Sequence, residues 1–303
     1  MQNELDFIEF NFNSTGVFII NIAVAFVMFG VAVGLTPQNF YDVLKQPRKV
    51  MVGLFAQLIC LPLATIILIT IIKPQASVAL GMILISVCPG GNISNFMTSV
   101  AKANVALSVC LTAITSVSAI LLTPLGLSFW GQFYKPALDI MVRVELKFLD
   151  VFMTIFIIII APMIIGMYLR GRRPELVKKW QPWLKTLSMV IFILIVIAAV
   201  LTNFEVFIEN IPLVLGVVIL HNVIAYLTGG SIAMLAGLDI SDIKSITIET
   251  GIQNSGLGLA LIFAFFDGLG GMTVVAAAWG IWHIISGLIL SHSLAYMTKK
   301  PWE

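Results

Sequence analysis

Charge is what this sequence has least of. Asp, Glu, Lys and Arg make up 11% of its 303 residues, and the formal net charge is only +2. A soluble domain usually carries about a quarter charged residues. With 59% hydrophobic residues and a mean hydropathy of +1.05, the shortage excludes an ordinary water-soluble domain. The near balance of signs also excludes a basic face able to neutralise a run of phosphates, so no nucleic-acid partner is expected. Cysteine is scarce as well. Cys60, Cys88 and Cys110 all lie in apolar stretches, without zinc-ligand spacing or a secreted disulfide framework, and read as buried thiols. There is no HExxH, no paired catalytic aspartate and no convincing Ser-His-carboxylate set, so the chain is not expected to be an enzyme. Residues 1–15 carry Glu4, Asp6 and Glu9 but no Lys or Arg, the opposite of a signal peptide's basic start.

What is present is apolar length. A helix needs about 20 largely apolar residues to span a bilayer, because lipid offers no partners to backbone polar groups. Nine such segments are expected, near 16–35, 51–72, 76–101, 105–131, 147–169, 185–202, 211–236, 243–266 and 271–297. The fold class is therefore an all-α polytopic membrane protein. Lys and Arg in short loops are retained on the cytoplasmic side. With the N-terminus outside, thirteen of the seventeen cations fall inside; Lys73, Lys135, Arg143 and Lys147 fall outside. The expected topology is N-terminus outside and C-terminus cytoplasmic, with residues 1–15 a translocated tail and 298–303 a cytoplasmic one. One membrane domain occupies 16–297, in halves of about 16–135 and 145–297. The most hydrophilic connection, RGRRPELVKKWQPWL at 170–184, divides the halves, and a short external loop is expected around 203–210.

Two spans are interrupted. Segment 76–101 contains Cys88-Pro89-Gly90-Gly91-Asn92-Ile93-Ser94-Asn95, where Pro removes a backbone donor and two glycines weaken the helix. Segment 243–266 contains Glu249-Thr250-Gly251-Ile252-Gln253-Asn254-Ser255-Gly256. Either break alone could be a packing kink. Together, one per half and running in opposite directions, they have the layout of an inverted repeat. Paired interrupted helices point to a transporter's midplane site, where unwound carbonyls and half-helix ends meet ions and anionic substrates.

Of the acidic residues, Glu249 sits deepest in a span, and no Lys or Arg lies deep enough to pair with it. A bare carboxylate there costs at least a few kcal/mol, so a mobile cation is the natural partner. A proton needs only the carboxylate, whereas a hard metal ion wants several oxygens. Ser108 and Thr112, spaced i and i+4, share a helix face. Ser94 and Asn95 follow the first break, Gln253 and Asn254 follow Glu249, and Gln57 stands alone in an apolar helix. This oxygen supply favours sodium, although Ser108 and Thr112 could instead bond within their own helix. His221, His283 and His292 lack metal-ligand spacing; an isolated membrane histidine is more often an interhelical hydrogen-bonder.

With these residues in view, the chain resembles the bile acid:sodium symporter family. The similarity rests on CPGGNISN at 88–95, NVALSVCLT at 104–112 and ETGIQNSG at 249–256. GLFAQLICLP at 53–62 and LHN at 220–222 match more weakly. The resemblance implies inverted repeats, a core domain in which two discontinuous helices cross, and a panel domain. It implies two sodium ions as coupling ions. Ser94, Asn95, Ser108, Thr112 and Glu249 would hold the first. Gln57, Glu249 and Gln253 would hold the second, with the carbonyls of Thr250 and Ile252. Asn92 and Asn254 would face the substrate anion, with Ile93, Ser255 and His283 as further candidate contacts. The implied function is sodium-coupled import of an organic anion, bile acid-like in the family's namesake members, by alternating access. The implied site of action is a plasma membrane, the inner membrane in a bacterium. A proton-coupled carrier or exporter of a smaller anion, such as pantoate or a keto acid, is the alternative. No feature of the sequence sets an oligomeric state.

Overall fold

A computed structural model of the chain describes residues 5–6, 14–34, 47–91, 93–143, 153, 156–202 and 204–296. Among these residues every regular element is helical. The first is α1, Ser14–Gly34. Next, α2 runs Pro47–Ile72, with a π-helical turn at Ala56–Cys60. Then come α3, Ala76–Val87, α4, Ile93–Val100, α5, Val105–Gly131, and α6, Lys135–Arg143. A π-turn at Phe156–Ile160 leads into α7, Ala161–Arg172. The remainder are α8, Pro174–Thr202, α9, Phe204–Leu235, α10, Ile240–Gly251, α11, Ser255–Phe265, and α12, Gly270–Tyr296.

Both expected interruptions are present, dividing α3 from α4 and α10 from α11. Three helical runs, Pro47–Ile72, Val214–Leu235 and Gly270–Tyr296, are long and apolar enough to cross a membrane by themselves. The surface agrees with that reading. On α2, Met51, Phe55, Ile59, Leu63, Ile67 and Ile71 are all exposed, while Gln57 and Thr65 are buried. Apolar side chains outside and polar ones inside is the arrangement that lipid favours.

Two expectations change, and one expected span gains a bend. The hydrophilic stretch 170–184 is mostly helix, because α8 starts at Pro174 with Glu175 in its first turn, both suited to a helix start. Val177 and Leu184 on its inner side are buried against Val33 of α1, while Lys178 and Lys179 are exposed. Mean hydrophilicity conceals an amphipathic helix of that kind. The external loop expected around 203–210 is likewise the start of α9 from Phe204 onward. Finally, α5 is bent by 75° between Val105–Ala119 and Leu121–Gly131. Pro124 explains it, since the ring has no N–H for the carbonyl four residues back and clashes with it. The start of the expected 147–169 span and the tail beyond 296 lie outside the described residues.

Packing separates the helices into two associations. Helix α1 lies chiefly against α7 and α8, whereas α3 lies against α12, α5 and α2, and α10 against α9 and α5. Every residue of α3 from Ser77 to Val87 is buried. Small residues permit this. A Cβ added at Gly81 would stand 2.9 Å from the Cα of Met272, and one at Gly271 would stand 2.7 Å from the backbone N of Val78. At the amino end of α3, the carboxylate of Asp6 accepts a 2.7 Å bond from the Ser77 amide. Gly81→Leu is expected to force α3 and α12 apart and lower stability by about 1–3 kcal/mol, the range for overpacked interiors. Thermal unfolding in detergent measures it.

Candidate functional site

The site is built where two helices stop. Cys88 closes α3 by donating its amide to Leu84 O at 3.1 Å, and Pro89 then leaves the next turn without a donor. In the other half, α10 ends at Gly251, and Ile252 adopts extended backbone. The two extended stretches lie antiparallel, with Gly90 paired to Gln253. Gly91 N donates to Ile252 O at 2.8 Å, and Asn254 N donates to Pro89 O at 2.9 Å. Each break thus satisfies peptide groups exposed by the other, as buried backbone requires. Neighbouring side chains take the remaining groups. Thr123 donates to Val87 O at 2.9 Å, Asn222 to Gly251 O at 2.7 Å, and the Gly90 amide donates to Thr115 Oγ1 at 3.3 Å. At this crossing the carboxyl ends of α3 and α10 face the amino ends of α4 and α11.

Glu249, buried in the last turn of α10, is the centre of the polar cluster. Its Oε2 accepts from Ser94 Oγ at 2.6 Å and Ser108 Oγ at 2.8 Å. Its Oε1 accepts from Thr112 Oγ1 at 2.5 Å. Among the described residues no basic group is bonded to it. Hydrogen bonds to a charged group contribute about 1.5–3 kcal/mol each, so three hydroxyls offset part of the cost of burial but leave the charge itself uncancelled. Gly90 makes the close approach possible, since a Cβ there would collide with Glu249 Oε1 and come within 3.3 Å of Gln57 Nε2.

The first expected ion set is assembled around one carboxylate: Ser94, Ser108 and Thr112 bond to Glu249, and half-buried Asn95 offers Oδ1 to Thr112 at 3.5 Å. In the second, Gln57 Nε2 donates to Gln253 Oε1 at 3.2 Å and Gln253 Nε2 to Thr250 O at 2.8 Å. The Ile252 carbonyl is engaged by Gly91. Gln57 Oε1, Thr250 Oγ1 and Ser255 Oγ are buried with no hydrogen-bond partner among the described residues. Of these, the Gln57 amide faces Gly90 together with Glu249, whereas Thr250 Oγ1 faces Gly229 of α9; an unbonded amide oxygen near a carboxylate suits a hard cation. The π-turn of α2 contains Gln57; such bulges recur at functional sites.

The expected substrate contacts are more scattered. Asn254 caps α11, accepting from the Leu257 amide at 3.0 Å. Ile93 packs beside Met97, Ala101, Ile248 and Ile252. His283 is buried, and its Nδ1–H donates to Trp279 O of the same helix at 2.7 Å. Asn92 lies outside the described residues. Sequence reasoning assigned no role to Thr115, Thr123, Asn222, Tyr226 or Ser286. Asn222 Oδ1 accepts from Ser286 Oγ at 2.7 Å, and that hydroxyl lies 3.1 Å from Tyr226 OH, a chain buttressing the end of α10. The i+3 spacing of Thr115 from Thr112 was an available signal; Asn222 had none beyond its weak LHN motif.

Paired broken helices with polar groups gathered at the breaks are a layout found in secondary transporters. The chain belongs to the Sodium Bile acid symporter family, whose profile matches residues 21–210. It is therefore a multi-pass membrane protein of a sodium-dependent transporter family. It is 35% identical over 281 residues to the uncharacterized sodium-dependent transporter YocS of Bacillus subtilis (strain 168), covering 93% of this chain and 83% of YocS. It is 27% identical over 271 residues to the probable sodium/metabolite cotransporter BASS1, chloroplastic, of Arabidopsis thaliana, covering 89% of this chain and 65% of that protein. The sodium-dependent organic anion transporter of Mus musculus is 25% identical over 272 residues, 89% of this chain and 71% of its own length. Asn222→Ala is expected to leave the Gly251 carbonyl unbonded and to lower stability by about 1–3 kcal/mol. Its thermal unfolding against the unaltered protein checks this.

Proposed function

We propose that the chain imports an organic anion with two sodium ions by alternating access. The observation that carries the reading is Glu249, buried and bonded by three hydroxyls but by no cation among the described residues. Sodium here is cargo. Ser94, Asn95, Ser108, Thr112 and Glu249 would hold one ion, the hydroxyls turning their lone pairs toward it. Gln57, Glu249, Gln253 and the carbonyls of Thr250 and Ile252 would hold the other; the unbonded Gln57 Oε1 supports this. Asn92, Ile93, Asn254, Ser255 and His283 remain the proposed substrate contacts. The amino ends of α4 and α11 carry partial positive charge toward the crossing, which favours an anion there. The family's description and the name of the mouse relative support an organic anion, bile acid-like being the first candidate.

The energetic coupling follows from order. With the carboxylate neutralised and the crossed segments fixed by sodium, the anion meets a site whose ordering cost is already met. The association of α1, α7 and α8 would form the panel against which the remaining helices rock, with the N-terminus outside and the C-terminus cytoplasmic.

Two measurements test this. Sodium chloride at about a hundred times its dissociation constant is expected to stabilise the purified protein by about 2.7 kcal/mol per occupied ion site relative to choline chloride. Adding taurocholate, pantoate or a 2-oxo acid with sodium is expected to raise the unfolding temperature further for the true substrate class. Glu249→Ala is expected to reach the membrane yet lose sodium-dependent uptake of that substrate and the sodium shift. Uptake that persists without sodium and collapses with a protonophore would replace sodium by the proton.

A further inference from the structure

The helices that meet at Glu249 meet a second time. Asp242 precedes Glu249 by seven residues on α10, hence on the same face and about 10 Å along the axis. It is buried. Its Oδ2 lies 2.5 Å from Lys49 Nζ of α2, the helix that carries Gln57. Its Oδ1 accepts from Asn104 Nδ2 at 2.7 Å, and Asn104 caps α5, the helix that carries Ser108 and Thr112, through a bond from the Leu107 amide. Asn104 is itself fixed to α10, its carbonyl accepting from Ser245 Oγ at 3.0 Å and its amide donating to Ser241 O at 3.3 Å. The two layers thus use one carboxylate from α10, polar groups from α5 and a side chain from α2. They differ in that Ser94 of α4 joins the Glu249 layer, whereas in the layer of Asp242 a cation is supplied by the protein.

The surrounding charges are also engaged. Arg48 donates to Ala236 O at the end of α9 at 2.6 Å, and Lys244 donates to Leu294 O on α12 at 2.6 Å. Asp239, mostly exposed, lies 3.8 Å from Lys49. The Lys49 side chain is 29% exposed, whereas that of Asp242 is 2% exposed. The pair is therefore anchored at its acidic end.

We infer that Lys49, Asn104 and Asp242 are positioning residues for the carboxylate cluster, holding α2, α5 and α10 in the register that sets the spacing of the oxygens of Gln57, Ser108, Thr112 and Glu249. This rests on the proposal that the cluster binds sodium. None of the three residues is bonded to Glu249, so their effect reaches the ion through the helices that carry its ligands. Neutralising either end of the pair leaves the Glu249 layer chemically intact but frees one helix to shift.

The test is the sodium dependence of the unfolding temperature of the purified full chain, with choline chloride holding ionic strength constant. Asp242→Asn and Lys49→Gln are each expected to raise the half-saturating sodium concentration about tenfold, equivalent to about 1.4 kcal/mol. The exchanged pair, Lys49→Asp with Asp242→Lys, restores the charges, and Asn104 can turn its amide oxygen to the new cation. It is expected to recover at least half of that loss on a logarithmic scale, as is Lys49→Arg in place of Lys49→Gln. Lower stability without sodium combined with an unaltered half-saturating concentration would mean a merely structural pair and overturn the inference. So would failure of both single variants to fold. Absence of any sodium shift in the unaltered protein would instead overturn the reading of the Glu249 cluster.

Discussion

A peptide group without a partner is the constraint on which this molecule is organised. A helix that stops inside an apolar interior exposes amides and carbonyls that water cannot reach, and each costs several kcal/mol if left alone. The chain meets that cost by stopping two helices at one place and pairing Gly90 with Gln253. The carboxylate cluster sits around that pairing. Glu249 is the last carboxylate before the second stop, Ser94 follows the first, and Gly90 leaves room for the carboxylate against the opposing backbone. The side chains of Thr115, Thr123 and Asn222 complete the account by bonding peptide groups that the pairing does not reach.

A hydrogen-bonded carboxylate without a basic neighbour is a poor contributor to stability, since hydroxyls soften a buried charge without cancelling it. Retaining one in a protein so short of charge makes sense if something mobile completes it. The Asp242 layer shows the fixed alternative in the same molecule, with Lys49 in place beside the carboxylate. Membership of a sodium-dependent family is consistent with the mobile case for Glu249.

Much of this was legible in the sequence because it depended on local chemistry. Pro89 followed by two glycines weakens a helix locally, the polar and glycine-containing run from Glu249 to Gly256 stands out within an apolar span, and Ser108 and Thr112 share a face by spacing alone. What stayed hidden depended on partners far along the chain. Asp242 falls just before the expected 243–266 span, and only the fold places Lys49 and Asn104 beside it; that Asn254, an expected substrate contact, also caps α11 was likewise not visible in the sequence. Averaged hydropathy misread 174–184 as a connection, because an amphipathic helix and a polar loop have the same mean. Pro124 was visible, but whether a proline bends a membrane helix depends on what fills the gap, which neighbours decide.

The crossing also imposes an order on biogenesis. Ser94 is separated from Glu249 by 155 residues, so at ribosomal speeds of about 5–20 residues per second the first break waits on the order of ten seconds or more for its complement. Through that interval a nascent chain holds open peptide groups within the bilayer. Chains truncated before Gly251 would therefore be unable to close the first break, and quality-control proteases would meet them as unfinished membrane proteins.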